Sequence, residues 1–293
     1  MLFAVVLLLL IVGSLGGFLA GLLGVGGGLI FIPVLTLLLG NHQLTNEELV
    51  RFTLANSIAL VFISGFSGII RQIKLKSFDL KQSLTIGIPG AISAALMSYT
   101  IQNGDWYSKQ RFQTVFLFFL IISITNMLFI KDKETKIDEI SKPQRKTIIS
   151  SFVGIFAGSV VSLSGLGGGI IMVPLFRMLL KLPVKKATAL SLSIVPLLSI
   201  IPLTQYLTNS QAPFIFNPNS FQADAFLKIQ FFQPEWLQSH YIVWPYFLPM
   251  AIGAFVFSSF GQKVAPKVPV IWIRVIFALL SASILIKTLY ELF

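Results

Sequence analysis

Gly24-Val25-Gly26-Gly27-Gly28 is an unusual passage, and Gly165-Leu166-Gly167-Gly168-Gly169 repeats it. Each lies in strongly apolar sequence, and each is followed, five residues after its last glycine, by a proline, Pro33 or Pro174. Each is preceded by a helix-like run with small residues four apart: Gly13, Gly17 and Gly21 in the first copy, Gly154, Gly158 and Ser162 in the second. Three glycines in a row remove side-chain packing and favour unwinding. Unwound backbone at membrane depth is tolerated only where protein buries it or a cavity solvates it. Paired breaks at matching places in two halves of a membrane chain point to a binding site for a transported species.

The surroundings establish that the depth is that of a membrane. Of 293 residues, 55% are hydrophobic and only 11% charged, against roughly 25% charged in a soluble domain. The charges cluster in short stretches and leave several apolar runs of about 20 residues, enough to cross a bilayer as helix. The net charge of +11 sits in loops between those runs, which reads as a topology signal and not as a nucleic-acid surface. The chain has no cysteine, which excludes disulfides, thiolate metal sites and thiol catalysis. The first 20 residues lack a basic leader and run on into the glycine break, so they read as a retained helix.

Taken in order, segment 1 runs from Leu2 to Leu23 and resumes after the break as a short helix, Leu29 to Leu39. Asn46 is the expected N-cap of segment 2, with Glu47 and Glu48 in its first turn, ending near Ile70 before a basic loop, Arg71 to Lys81. Segments 3 and 4 cover Ser83 to Ile101 and Phe112 to Ile130. A charged linker, 131–146, separates a first repeat, 1–130, from a second, 147–293. Segment 5 repeats segment 1: Thr147 to Ser164, the break, then Ile170 to Leu180. Segment 6 covers Ala187 to Leu207 with expected kinks at Pro196 and Pro202; segments 7 and 8 cover Tyr241 to Phe260 and Ile271 to Phe293. A shift of 141 superposes the glycines and prolines of the two breaks, and a shift of 134 places Asn56-Ser57 over Leu190-Ser191. Pro89-Gly90-Ala91 matches Pro249-Met250-Ala251, and Arg111 matches Arg274. The second half carries an additional stretch, about 209–239, expected to be an extracytoplasmic interfacial cap.

Most of the 22 Lys and Arg lie in the linker and in the loops after segments 2, 5 and 7. The positive-inside rule places these in the cytoplasm. The linker before segment 5 and the loop after it then share a side, so segment 5 must enter and return as a hairpin. The expected fold is an all-α polytopic membrane protein of two inverted repeats, each a glycine-broken helical hairpin plus three transmembrane helices. The alternative, in which segments 1 and 5 cross fully, gives parallel repeats.

The glycines carry the candidate chemistry. The short helices begin at Leu29 and Ile170, where the first N–H groups lack intrahelical partners and the dipole end is positive. Glycine lets the preceding backbone curl into an anion-binding nest. The candidate site therefore comprises Gly24, Gly26, Gly27, Gly28 and Leu29 with Gly165, Gly167, Gly168, Gly169 and Ile170. Asn56, Ser57 and Ser191 join it from the paired helices, with Thr53, Ser193 and Gln205 as further polar neighbours. The competing reading is packing: glycines four apart bring helices close, and a membrane serine commonly bonds another helix. Arg111 and Arg274 read as interface snorkels. The pattern is no Walker loop, since no Gly-Lys-Ser/Thr follows, and no dinucleotide fingerprint. All Asp, Glu and His lie in loops or at span ends, so no proton relay, metal site, cofactor site or hydrolytic constellation is expected.

The passages Gly17-Phe-Leu-Ala-Gly21-Leu-Leu-Gly24-Val-Gly-Gly-Gly28-Leu-Ile-Phe-Ile-Pro33 and Gly165-Leu-Gly-Gly-Gly169-Ile-Ile-Met-Val-Pro174 resemble those of the TauE/SafE family, the sulfite exporters. Asn56-Ser57 and Leu190-Ser191-Leu192 resemble its following Thr-Ser-Leu-like element, although neither copy has the threonine. The resemblance covers nearly the whole chain except about 209–239. It implies a bacterial inner-membrane transporter, not an enzyme, of a small sulfur-containing or organic anion such as sulfite or a sulfonate. Its partners would be that anion and the lipid bilayer, with no nucleic acid. An anion channel, or a structural membrane protein whose glycines only pack helices, would share the same sequence features.

Overall fold

The computed structural model describes residues 2–40, 42, 44–76, 78–129, 143–210, 212–213, 238–265 and 267–269, with 271, 275, 279 and 282 singly. Its helices are α1 (Leu2–Leu23), α2 (Gly28–Leu39), α3 (Asn46–Lys74), α4 (Leu80–Asn103), α5 (Lys109–Phe129), α6 (Pro143–Ser164), α7 (Gly169–Leu179), α8 (Val184–Thr208) and α9 (Trp244–Val264). A two-residue antiparallel ladder pairs β1 (Gln238–Ser239) with β2 (Ile242–Val243) just before α9. Six of the described helices are long and apolar enough to cross a membrane, and α2 and α7 are shorter apolar helices. The protein is an all-α polytopic membrane protein. Of the linker expected at 131–146, residues 131–142 lie outside the described residues and 143–146 begin α6; most of the 209–239 cap and most of segment 8, Arg274 included, also lie outside them.

Helix ends depart from expectation where charge and capping decide them. Thr45, not Asn46, is the N-cap of α3: its Oγ1 accepts from the Glu48 N–H at 3.3 Å, and the Glu48 carboxylate accepts from the Thr45 N–H at 2.8 Å. This reciprocal box needs a hydroxyl three residues before a glutamate, which Asn46 cannot supply. The same helix runs past Ile70 to Lys74, because Arg71 and Lys74 sit well in a last turn, against the negative end of the dipole. The seventh segment begins at Trp244 with Pro245 in its first turn, leaving Tyr241 in the turn between β1 and β2 ahead of it. Helix α8 continues through both prolines, and the Pro196 ring fills the notch left by Gly65.

The helices pack through their small residues. Gly13, Gly17 and Gly21 of α1 meet the backbone of Met250, Ala254 and Ser258 of α9 in the same order, so the two helices run parallel. Gly154, Gly158 and Ser162 of α6 meet Ile86, Gly90 and Ala94 of α4 likewise, the last pair by a 2.7 Å bond from Ser162 Oγ to the Ala94 carbonyl. These contacts align α4 with α9 one helical turn away from the Pro89/Pro249 match. Ser64 and Gly68 of α3 face Ser258 and Gln262 of α9, again in parallel. Gly87 and Ala95 of α4 face Leu197 and Gln205 of α8 in parallel. Gly65, Gly68 and Gln72 of α3 face Pro196, Leu192 and Ala189 of α8 in reverse order. Helices α1, α3 and α9 therefore run one way and α4, α6 and α8 the other. Since α1 and α3 share a direction, α2 must return between them, and α7 returns between α6 and α8.

Burial follows this plan. Helices α3 and α8 form the centre. The outward faces of α4 (Ile88, Ile92, Leu96) and α9 (Leu248, Ile252, Val256) expose large apolar side chains, the stripe expected of a lipid-facing helix.

Candidate functional site

The two glycine turns lie against each other at mid-depth. Val61, near the middle of α3, touches both: a Cβ would lie 3.1 Å from its Cγ1 at Gly26 and 2.8 Å at Gly167. A Cβ on Gly167 would lie 3.3 Å from the Gly26 α-carbon, and one on Gly28 2.7 Å from the Leu166 α-carbon. The left-handed residues match position for position: φ is 72°, 78° and 82° at Gly24, Gly26 and Gly27, and 66°, 85° and 68° at Gly165, Gly167 and Gly168. A side chain at any of them would cost about 1–2 kcal/mol in backbone strain alone. Gly27 and Gly168, left-handed, are each followed directly by the right-handed first residue of a helix, a pairing that points successive N–H groups into one concavity.

Donors and acceptors at the turns are unequally satisfied. The Gly24 and Gly165 N–H groups close the last turns of α1 and α6, onto the Ala20 and Val161 carbonyls. Their own carbonyls each accept a serine hydroxyl from the other half: Ser57 Oγ donates to Gly165 at 2.8 Å and Ser191 Oγ to Gly24 at 2.7 Å. The N–H groups of residues 26–29 and 167–170 have no acceptor among the described residues. One oxygen of each turn is thus capped, and a row of amides at two helix starts is left open. Both starts carry the positive dipole end, and among the described residues no group of His, Asp or Glu is arranged to hold a metal ion.

The sequence-predicted site residues therefore divide. Gly26, Gly27, Gly28 and Leu29, with Gly167, Gly168, Gly169 and Ile170, present open amides. Gly24 and Gly165 are acceptors held by Ser191 and Ser57, so those serines clamp the turns across the two halves. Asn56 is spent on structure: Nδ2 donates to the Phe52 and Tyr241 carbonyls at 2.8 and 2.9 Å, and Oδ1 accepts from the Val243 N–H at 3.0 Å. Ser193 donates to Gln72 Oε1 at 2.6 Å, and Gln205 donates to the Ala95 carbonyl. Thr53 is buried with an unpartnered hydroxyl and lines a cleft between α2, α3 and α5 with Pro33, Thr36, Lys109 and Gln113. Arg111 bonds the Trp106 carbonyl at the start of α5, as an interface residue would. The reading of the sequence misses Arg51, Tyr206 and Tyr241, which gather beside Asn56. Their only sequence signal is a tyrosine where this chain otherwise favours phenylalanine, 27 residues against 6.

The serine clamps yield a direct test. Ser57→Ala or Ser191→Ala strands one buried glycine carbonyl, which costs about 1–3 kcal/mol. Both variants are expected to lower the thermal midpoint of the purified protein by similar amounts, because the two bonds are equivalent. Unchanged midpoints would show that the clamps contribute nothing.

The chain matches the protein family described as Sulfite exporter TauE/SafE over residues 9–288. A probable membrane transporter protein of Methanocaldococcus jannaschii is 31% identical over 264 residues, covering 89% of this chain and 88% of the relative. One of Haemophilus influenzae is 27% identical, covering 94% of this chain and 95% of the relative. The probable membrane transporter protein YunE of Bacillus subtilis is 28% identical, covering 66% and 75%. No solved structure matches the chain. With this duplicated glycine hairpin and a family match across nearly its whole length, the protein is a multi-pass membrane transporter belonging to the TauE/SafE family.

Proposed function

We propose that the protein exports a small sulfur-containing or organic oxyanion, sulfite or a sulfonate among the candidates, across a bacterial inner membrane, binding it at the open amides of the two glycine turns. The observation that carries this reading is the row of open amides at the two helix starts. The Gly165 and Gly24 carbonyls are capped by Ser57 and Ser191, and among the described residues the N–H groups of residues 26–29 and 167–170 have no acceptor. A buried amide without a partner costs free energy, and an oxyanion satisfies several such groups at once without a buried Lys or Arg. The family description, Sulfite exporter TauE/SafE, agrees with that chemistry.

We infer that the halves are inverted repeats. The equivalent pairs α1/α6, α3/α8 and α4/α9 run in opposite directions, and the positive charges of the loops fit the same arrangement. The two turns touch, so this conformation is closed, and transport requires them to part and expose the amides alternately to either side. Among the described residues no carboxylate or histidine lies in the interior of a span, away from its end turns, and the driving force is assigned to the membrane potential, which favours outward movement of an anion by about 2.3 kcal/mol per charge per 100 mV.

Purified protein titrated with sulfite, sulfate, thiosulfate, sulfoacetate and small carboxylates tests the site. The true substrate at about 100 times its Kd should stabilise the fold by about 2.7 kcal/mol. Saturable flux of that anion in proteoliposomes should accompany the shift. Absence of stabilisation by every anion would sink the reading, and large unitary currents would make the protein a channel.

A further inference from the structure

Two tyrosines stand where the fold alone would favour phenylalanine. Tyr206, near the end of α8, and Tyr241, in the turn between β1 and β2, are both fully buried. Their rings pack edge to face at 5.8 Å, and Tyr241 packs in the same manner on Phe52 at 5.1 Å. Neither hydroxyl has a hydrogen-bond partner among the described residues. Aromatic packing needs no hydroxyl, and a buried hydroxyl without a partner destabilises the fold relative to phenylalanine. Two such hydroxyls on rings packed against each other call for an occupant that accepts from both.

The groups around them favour an anion. Arg51, on the first turns of α3, is 12% exposed at its side chain. Its Nε donates to the Ile101 carbonyl, and its Nη2 donates to the Gly104 carbonyl and to Asp105 Oδ1. Nη1 takes no part in these bonds. The guanidinium lies beside the Tyr241 hydroxyl, without hydrogen-bond geometry to it, and within electrostatic reach of Tyr206, which Ser98 also flanks. The nearby carboxylates are committed elsewhere: Asp105 is 91% exposed and paired with Arg51 at 2.9 Å, and Glu48 caps α3. Burial raises the Tyr241 pKa, with the Arg51 guanidinium opposing part of that rise, so the phenol is held as a neutral donor. A third tyrosine, Tyr107, donates to the Leu163 carbonyl at 2.6 Å, just ahead of the second glycine turn.

The cluster is also connected to the turns. Asn56 holds the backbone of Tyr241 and Val243 against α3, and its neighbour Ser57 holds the Gly165 carbonyl. Along α3 there follow, in order, the Arg51 guanidinium near the helix start, the Asn56 anchor of the Tyr241 backbone and the Ser57 clamp on the second glycine turn.

We propose that Arg51, Tyr206 and Tyr241 form a second station for a small oxyanion, between the α4–α5 turn and the glycine turns. It rests on the reading of the turns as an anion site. Two phenolic O–H groups and a guanidinium offer donors to the oxygens of one sulfite, sulfate or sulfonate group. On the orientation given by the loop charges, this is the outer side, where an exported anion leaves.

The test uses the full chain in nanodiscs and proteoliposomes, with sodium sulfite and sodium sulfate as probes and the double variant Tyr206→Phe/Tyr241→Phe. Both rings are kept. Without anion, the variant should be at least as stable as the parent. It should need about tenfold more of the stabilising anion for half-maximal thermal shift and half-maximal flux, the loss expected for about one hydrogen bond to a charged ligand. An unchanged half-saturation would overturn the second station while leaving the glycine site standing. So would a fall of several degrees in the anion-free midpoint, which would mean that the hydroxyls are structural, held by bound water. If the parent protein itself responds to neither probe, nor to thiosulfate, sulfonates or carboxylates, the anion reading of the turns fails and the station fails with it.

Discussion

Alanine at Gly28 or Gly169 is expected to abolish transport in a protein that still inserts and folds. These two positions are the informative ones, because neither has a left-handed φ. Each is the first residue of a short helix, a conformation alanine adopts readily. The obstacle is the opposite turn. A Cβ on Gly28 would stand 2.5 Å from the Gly165 carbonyl oxygen and 2.7 Å from the Leu166 α-carbon; one on Gly169 would stand 2.5 Å from the Val25 α-carbon and closer still to the Gly24 carbonyl. Backbone cannot rotate out of the way as a side chain can. Turns forced apart by the width of a methyl group no longer aim their amides at one point. Loss of two hydrogen bonds to an anion, at about 1.5–3 kcal/mol each, predicts a fall of about 100-fold or more in apparent affinity. The measurement is flux in proteoliposomes beside membrane yield and elution profile. Flux within twofold of the parent in both variants would show that the contact between the turns has no part in transport. Gly27→Val and Gly168→Val should be at least as damaging, since they add left-handed strain to a collision, at Gly27 with the Gly16 carbonyl at 2.6 Å.

Much of this architecture is legible in residue order, and the reasons for the exceptions are physical. Segment 1 ends at Leu23 in the sequence and in the structure because an apolar run and a glycine cluster mark the boundary from both sides. The duplicated glycines have the same backbone conformations, 141 positions apart, because only glycine enters those φ values freely. The cap of α3 is an exception: the sequence reading sets it at Asn46, a residue type that also caps helices, whereas Thr45 and Glu48 have the spacing of the reciprocal box that forms.

Partner choice was not legible. A stripe such as Gly13, Gly17 and Gly21 states that something comes close, but not what. The structure sets it against α9 and sets the matching stripe of α6 against α4, so each broken helix packs on a helix from the other half. Bodies that move against one another in this fold therefore need not coincide with the two sequence repeats. Ser57 and Ser191 were visible as polar residues near the breaks. Their role as clamps depends on bonds spanning 108 and 167 residues, a relation that no local pattern encodes. Tyr206 and Tyr241 escaped notice because a membrane tyrosine ordinarily anchors at the interface; only their burial and unpaired hydroxyls distinguish them.

The crossed packing predicts the most severe stability defects. Gly17→Leu and Gly158→Leu should each prevent recovery of folded protein, and to the same degree, although they lie in different halves. At Gly17 even a Cβ would approach the Ala254 carbonyl oxygen and lie 2.6 Å from its α-carbon; at Gly158 it would collide with the Gly90 carbonyl. A leucine adds three further carbons to a space filled by backbone, so the helices must separate along their length. Overpacking of one or two methylenes costs about 1–3 kcal/mol where side chains can yield, and here rigid backbone faces rigid backbone. A loss above about 4 kcal/mol is expected for each, beyond the usual range for a point substitution. Separation of α6 from α4 would also break the bond beside Gly158, from Ser162 to the Ala94 carbonyl. Ile92→Ala and Ile252→Ala, on lipid-facing positions of the same two partner helices, serve as controls and should stay within about 0.5 kcal/mol of the parent. Monodisperse elution and an unshifted thermal midpoint for either leucine variant would refute the close approach of α1 to α9 or of α6 to α4, and with it the crossed arrangement of the halves.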